Sequence, residues 1–175
     1  MKSYLGMNIS KDTNGTITMS QPAIIDKILN SLGICDESKM HDTPANVILT
    51  KDEDGNGRKQ EWHYHSVIGK MNYLAGTTRP DILFDMHQCA KYSIDPKQSH
   101  EEAVKRIGRY LNKTKDKGLV FTPDGSNELE CYADADFAGT WCREDADQVG
   151  SVLSRIGYII KFANYPILWV SKMQT

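Results

Sequence analysis

The sequence predicts an α+β protein: a β-hairpin and a helical segment, followed by an incomplete antiparallel β-sheet. Three observations carry that prediction. Extended stretches flank Asp12-Thr13-Asn14-Gly15, whose Asn-Gly pair is a strong short-range hairpin signal. Apolar residues then recur every three or four positions in separate stretches between Ile24 and Leu111, the spacing of one helical face. Past Gly118 the apolar period shortens towards two, the mark of half-buried strands.

In chain order, residues 3–9 and 16–19 read as the two strands of a hairpin spanning 3–19. From Gln21 onward, Ile24, Ile25, Ile28, Leu29 and Leu32 share a helical face, with Pro22 suited to the first turn and Gly33 to the C-terminal stop. Residues 36–60 are polar and carry Thr43-Pro44 and Asp52-Glu53-Asp54-Gly55-Asn56-Gly57, so an exposed loop or linker is predicted there. Helical periodicity returns with Tyr64, Val67, Ile68, Met71 and Leu74, ends near Gly76, and restarts after Pro80 with Ile82, Met86, Cys89 and Ala90. Ser99-His100-Glu101-Glu102 has capping-box spacing and predicts a helix from Ser99 through Ala103, Ile107, Tyr110 and Leu111. Residues 62–113 therefore read as a three-helix unit.

Beyond it, Leu129, Cys131 and Ala133 alternate with Glu128, Glu130, Tyr132 and Asp134. Residues 157–162 and 167–170 are β-rich on either side of Asn164-Tyr165-Pro166. Three antiparallel strands are expected, the first bringing Asp134 to its end. A sheet with no segment left to cover it reads as a domain cut short.

Length and composition bound the function. The 175 residues leave room for one domain or two small pieces of larger ones, and 39% apolar content argues against wholesale disorder. No apolar run approaches about 18 residues and the N-terminal residues lack a signal-peptide core, so the expectation is a soluble intracellular protein, cytoplasmic or nuclear, with no membrane partner. Cys35, Cys89, Cys131 and Cys142 are scattered with no Cys-x-x-Cys pair, which argues against a structural zinc site or a disulfide framework. The 21 basic and 23 acidic residues nearly cancel, but they segregate. Residues 97–118 hold seven basic and three acidic side chains; residues 128–147 hold one and seven. A basic stretch followed by an acidic one suggests a polyanion surface beside a cation site.

Two constellations could carry chemistry. Lys105, Arg106, Arg109 and Lys113 lie on one side of the last predicted helix, opposite its apolar stripe, where they could track a phosphate backbone. A solvated face softened by Glu101 and Glu102 is the bland alternative. In Tyr132-Ala133-Asp134-Ala135-Asp136-Phe137-Ala138-Gly139, a carboxylate leaves a strand end for a glycine-containing loop, which suits Mg²⁺ and its hard oxygen ligands. On spacing alone, solvated turn carboxylates are the simpler account. Two-metal phosphodiester cleavage needs ions about 3.5–4 Å apart and several convergent carboxylates. The histidines lack recognisable catalytic partners, and Trp62, Trp141 and Trp169 read as packing groups.

Read in order, several strings resemble the Pol polyprotein of copia-type LTR retrotransposons. They include Tyr4-Leu5-Gly6-Met7, Ser20-Gln21, Tyr64-His65-Ser66-Val67-Ile68-Gly69, Met71-Asn72-Tyr73-Leu74 and Thr78-Arg79-Pro80-Asp81-Ile82. They continue with Arg106-Ile107-Gly108-Arg109-Tyr110-Leu111, Gly118-Leu119, the Asp134 string, Ser154-Arg155-Ile156-Gly157-Tyr158 and Trp169-Val170-Ser171-Lys172. The resemblance implies that residues 1–120 correspond to the C-terminal part of a reverse transcriptase, with a primer-side hairpin at 3–19 and thumb and connection helices at 21–113. It implies that residues 127–175 begin an RNase H-like domain. The parent would synthesise DNA on RNA and hydrolyse the RNA strand of an RNA/DNA hybrid. Its implied partners are that hybrid or a template-primer duplex and the remainder of the Pol polyprotein, in the cytoplasm, in a virus-like particle or in the nucleus. Matching the motif carries the role of catalytic Mg²⁺ ligand to Asp134, and Asp136 matches the second aspartate of the same string.

Two departures limit the implied activity. No Asp-Asp dipeptide occurs, so the polymerase metal site is missing, and no Glu-bearing helix follows Trp169 to complete the RNase H carboxylates. The expectation is a catalytically incomplete fragment, with a non-enzymatic duplex-binding module or an eroded transposon relic as the alternatives.

Overall fold

A computed structural model describes residues 2–35, 37–59, 62–122, 125–135 and 154–173. It is mixed α+β with antiparallel strand pairing, and it divides into two compact units, Met1–Lys11 with Ile17–Leu119 and Asp12–Thr16 with Val120–Thr175.

The first unit opens on β1 (Lys2–Tyr4), β2 (Met7–Lys11) and β3 (Ile17–Ser20). Residues 3–9 were expected to form a single strand, yet Leu5 and Gly6 turn the chain back, pairing Tyr4 with Met7. Both have positive φ, 49° and 76°, the type I′ geometry that a tight antiparallel turn requires. Leucine is an unusual residue there, so the sequence conceals the turn. The Asn-Gly connection is a five-residue loop instead of a two-residue one: Lys11 pairs with Ile17. Asp12 closes it by accepting from the backbone N–H of Asn14 and Thr16 at 2.9 and 2.8 Å.

α1 (Pro22–Leu32) buries Ile25, Ile28, Leu29 and Leu32 and stops at Gly33 in the left-handed region. α2 (Tyr64–Thr77) buries Val67, Ile68, Met71 and Leu74. A single 3-10 turn, Pro80–Ile82, leads into α3 (Leu83–Lys91), and α4 (Gln98–Lys113) follows. Together they enclose one apolar cluster, with Val104, Ile107 and Leu111 from α4 meeting Ile25, Met71, Leu74 and Met86. Gly108 lies where a Cβ would come within 2.7 Å of Leu32 and Ile34, so its missing side chain lets α4 approach that segment closely.

α4 starts one residue earlier than its capping-box spacing predicts. His100, not a carboxylate, reaches back: its Nδ1 accepts from the Lys97 N–H at 2.9 Å, while Nε2 lies 2.7 Å from the Thr50 carbonyl oxygen. The buried imidazole stacks on Tyr92 at 4.1 Å. Glu101 is buried and accepts from Trp62 Nε1 and the Lys59 N–H, so it is an internal group and only Glu102 remains to soften the basic face.

The second unit contains β5 (Leu129–Ala135), β6 (Arg155–Phe162) and β7 (Tyr165–Met173), antiparallel in the order β5-β6-β7. The turn between β6 and β7 is Ala163-Asn164, both left-handed at φ 49° and 66°, one residue ahead of the expected one. Pro166 lies inside the edge strand next to a bulge at Ile160/Lys161, a place where a missing N–H is tolerated. β4 (Leu119–Phe121) begins in the first unit and ends in the second.

Candidate nucleic-acid interface and metal ligand

Around α4 the buried positions are His100, Glu101, Val104, Ile107, Gly108, Leu111 and Asn112, which leaves Lys105, Arg106, Arg109 and Lys113 on the opposite side. Residues 41–59 do not hang free as a bare linker. They run as a strap beside this helix and bond to it repeatedly. Arg106 donates to Thr43 Oγ1 at 3.0 Å and lies 3.3 Å from His41 Nδ1; Lys113 pairs with Asp42, and Ser99 bonds Asp52. Burial first, and then the nearby Arg106 and Arg109 charges, push the His41 imidazole below its ordinary value. Of the four predicted cations, two are thus engaged by the strap. Lys105 and Arg109 make no hydrogen bond or ion pair among the described residues and are half-buried.

Strap, α3 and α4 enclose a groove of about 350 Å³ whose lining includes Val47, Phe84, Asp85, Gln88, Arg106 and Arg109. Gln88 is 3% exposed, and neither its Nε2 nor its Oε1 has a hydrogen-bond partner. Arg106 Nε is likewise buried and unpartnered. Burial raises the Asp85 carboxyl above its ordinary value, opposed by the Arg106 charge. Sequence reasoning missed this groove. Its only trace was the i, i+3 spacing of Asp85 and Gln88 beside the apolar positions Met86 and Cys89.

Asp134 sits near the end of β5, exposed and paired in register with Gly157. Alternation puts it on the sheet face that carries Glu130 and Tyr132, away from Leu129, Cys131 and Ala133. No group of three metal-ligating side chains occurs among the described residues. One exposed carboxylate opposite a glycine fits a single ligand of a hydrated Mg²⁺, but the described residues do not make a magnesium site. Asp136 lies outside them, as do Trp141 and Cys142.

Comparison with known proteins gives three informative relatives. The Retrovirus-related Pol polyprotein from transposon RE2 of Arabidopsis thaliana is 36% identical over 111 residues, 63% of this chain and 7% of that protein. The Retrovirus-related Pol polyprotein from transposon TNT 1-94 of Nicotiana tabacum is 32% identical over 181 residues, 97% of this chain and 13% of that protein. The chain belongs to the Pol polyproteins of copia-type retrotransposons. The Secreted RxLR effector protein 161 of Plasmopara viticola is also similar, 37% identical over 111 residues, 63% of this chain and 72% of that protein. No family model matches the chain, and no solved structure does.

Several of the copia-type strings have structural work to do in this chain. In Thr78-Arg79-Pro80-Asp81-Ile82, the buried Arg79 clamps Asp81 through Nε at 2.9 Å and Nη2 at 2.8 Å. It also donates to the Thr114 carbonyl and hydroxyl at 2.9 and 2.6 Å, tying the start of α3 to the end of α4. In Ser20-Gln21, the buried Gln21 Oε1 accepts from the Thr77 and Thr78 hydroxyls at the C-terminal end of α2. No helix among the described residues is long and apolar enough to cross a membrane.

Proposed function

We propose that this chain is the stretch of a copia-type Pol polyprotein that links the end of the reverse transcriptase to the start of its RNase H domain, and that its first unit holds a nucleic-acid duplex. The whole Pol would make DNA on an RNA template and hydrolyse the RNA of the hybrid. The observation that carries the duplex-holding role is the outer face of α4, where Lys105 and Arg109 are uncommitted and Arg106 and Lys113 stand between them and the strap. Guanidinium and ammonium groups on one face track phosphates without reading sequence. Glu102, on the same side, limits how many phosphates such a row neutralises.

Asp134 is proposed to supply one Mg²⁺ ligand in the complete polyprotein. Exposure at a strand end, opposite a residue with no side chain, supports that role. Paired ions require further convergent carboxylates, so the 175 residues alone are expected to cleave nothing and polymerise nothing.

Fluorescence anisotropy with a labelled RNA/DNA hybrid, measured between low and physiological salt, tests the binding reading. Affinity should fall steeply with salt, and Lys105→Gln with Arg109→Gln should flatten the log–log slope by about one per contact removed. Absent or salt-insensitive binding refutes it.

A further inference from the structure

The groove between the strap, α3 and α4 holds a side chain that the fold does not satisfy. Gln88 is 3% exposed and both ends of its amide lack a partner. A buried amide with no hydrogen bond is destabilising, and folded proteins rarely tolerate one. Gln88 lines a groove large enough for a nucleoside, beside the aromatic ring of Phe84 and the apolar side chain of Ile107. Arg109, which makes no hydrogen bond or ion pair among the described residues, lines the same groove.

The chemistry of this lining is specific. A glutamine amide presents a donor and an acceptor side by side, which match the ring nitrogen and amino group of adenine. Asp85, one helical turn before Gln88 on α3, adds a second acceptor and disfavours a base that would present a carbonyl there. Aromatic and apolar side chains take the flat faces of a base that has left its stack. Arginine takes the attached phosphate.

We propose that the groove binds the adenine of a nucleotide, with the Gln88 amide on the base edge and Arg109 on the phosphate. The nucleotide is either free or an unpaired residue of a strand lying on α4. The strand form rests on the phosphate-binding reading of α4; the free form does not.

Calorimetric titration of the full chain separates these. The probes are adenosine monophosphate, uridine monophosphate, a perfect DNA duplex and the same duplex with one unpaired adenine. Adenosine monophosphate is expected to bind more tightly than uridine monophosphate. If a strand is the source, the unpaired adenine should also bind more tightly than the perfect duplex. Gln88→Met keeps the side-chain volume and removes the amide; it should weaken the adenine probes at least ten-fold, about 1.4 kcal/mol, and leave the perfect duplex unchanged. Because the amide has no partner to lose, the same substitution should not lower the melting temperature, so weakened binding cannot be put down to misfolding. Binding of the adenine probes within two-fold of wild type in Gln88→Met, or equal binding of the two mononucleotides, overturns the proposal. Duplex binding with no adenine effect leaves the α4 reading standing and removes the groove. Gln88-dependent binding of adenosine monophosphate with no duplex binding does the reverse.

Discussion

Arg79 and Asp81 differ in exposure, 3% against 38% for their side chains, and that difference decides how the pair responds to mutation. Removing Asp81 leaves a guanidinium buried with the Thr114 oxygens and the Tyr110 ring but no counter-charge, whereas removing Arg79 leaves a carboxylate that reaches water. Asp81→Ala should therefore lower unfolding stability by about 3 kcal/mol and Arg79→Met by about 1–2 kcal/mol, measured by urea denaturation. The reverse order would show that the clamp is not the buried charge it is read as. Burial pushes the Asp81 carboxyl up, but hydrogen bonds from Arg79 and Tyr110 outweigh it and hold it below the usual carboxylate range. With the folded value below the unfolded one, this contribution is intact above about pH 4 and fades as the pH falls through the folded value. The wild type should lose stability there faster than Asp81→Ala does. None of this clamp is visible in spacing: Arg79 and Thr114 are 35 positions apart, and no periodicity connects them. Glu101 and Gln88 were opaque for the same reason, since a charged or amide residue on an amphipathic helix reads as solvated until a distant partner, or its absence, is seen.

Among the elements, helices with a clean apolar stripe were legible almost to the residue. α1 runs from Pro22 to Leu32 and stops at the glycine expected to stop it, because capping and packing obey the same local pattern. Turns that depend on backbone geometry were less legible: Leu5-Gly6 and Ala163-Asn164 use left-handed conformations that Leu and Ala seldom adopt. Glycines divide by what surrounds them. A Cβ on Gly118 would stand 2.0 Å from the Met19 carbonyl oxygen, which is backbone and cannot swing aside. Gly118→Ala should destabilise by about 1–3 kcal/mol. Gly69, exposed within α2, meets nothing within 4 Å, so Gly69→Ala should stabilise by about 0.5–1 kcal/mol through helix propensity alone. Thermal melts of the two variants should shift in opposite directions. The strap at residues 41–59 shows the limit of composition: its polarity and glycines read as a linker, yet His41, Thr43, Thr50 and Asp52 all bond to α4.

At the scale of the molecule, every buried residue among those described lies between Gln21 and Thr114. The second unit has ladders of seven and eight paired positions but, among its described residues, no buried side chain, and Leu129, Phe162 and Leu168 share one exposed face of its sheet. Backbone pairing alone gives little net stability, because the unfolded chain makes the same hydrogen bonds to water. Apolar burial is what separates a cooperative unit from a fraying one. The two units should therefore open independently. In native-state hydrogen exchange, amides of α2 and α4 should exchange only through the global transition, and those of β6, the central strand, at least ten-fold faster, about 1.4 kcal/mol nearer to the open state. Dilute denaturant should accelerate the helical amides steeply and the β6 amides weakly, since opening the sheet exposes little that is not already exposed. If β6 were protected as strongly as α2 and with the same denaturant dependence, the sheet would share the helical core's cooperativity, and the division of stability argued from burial would be wrong.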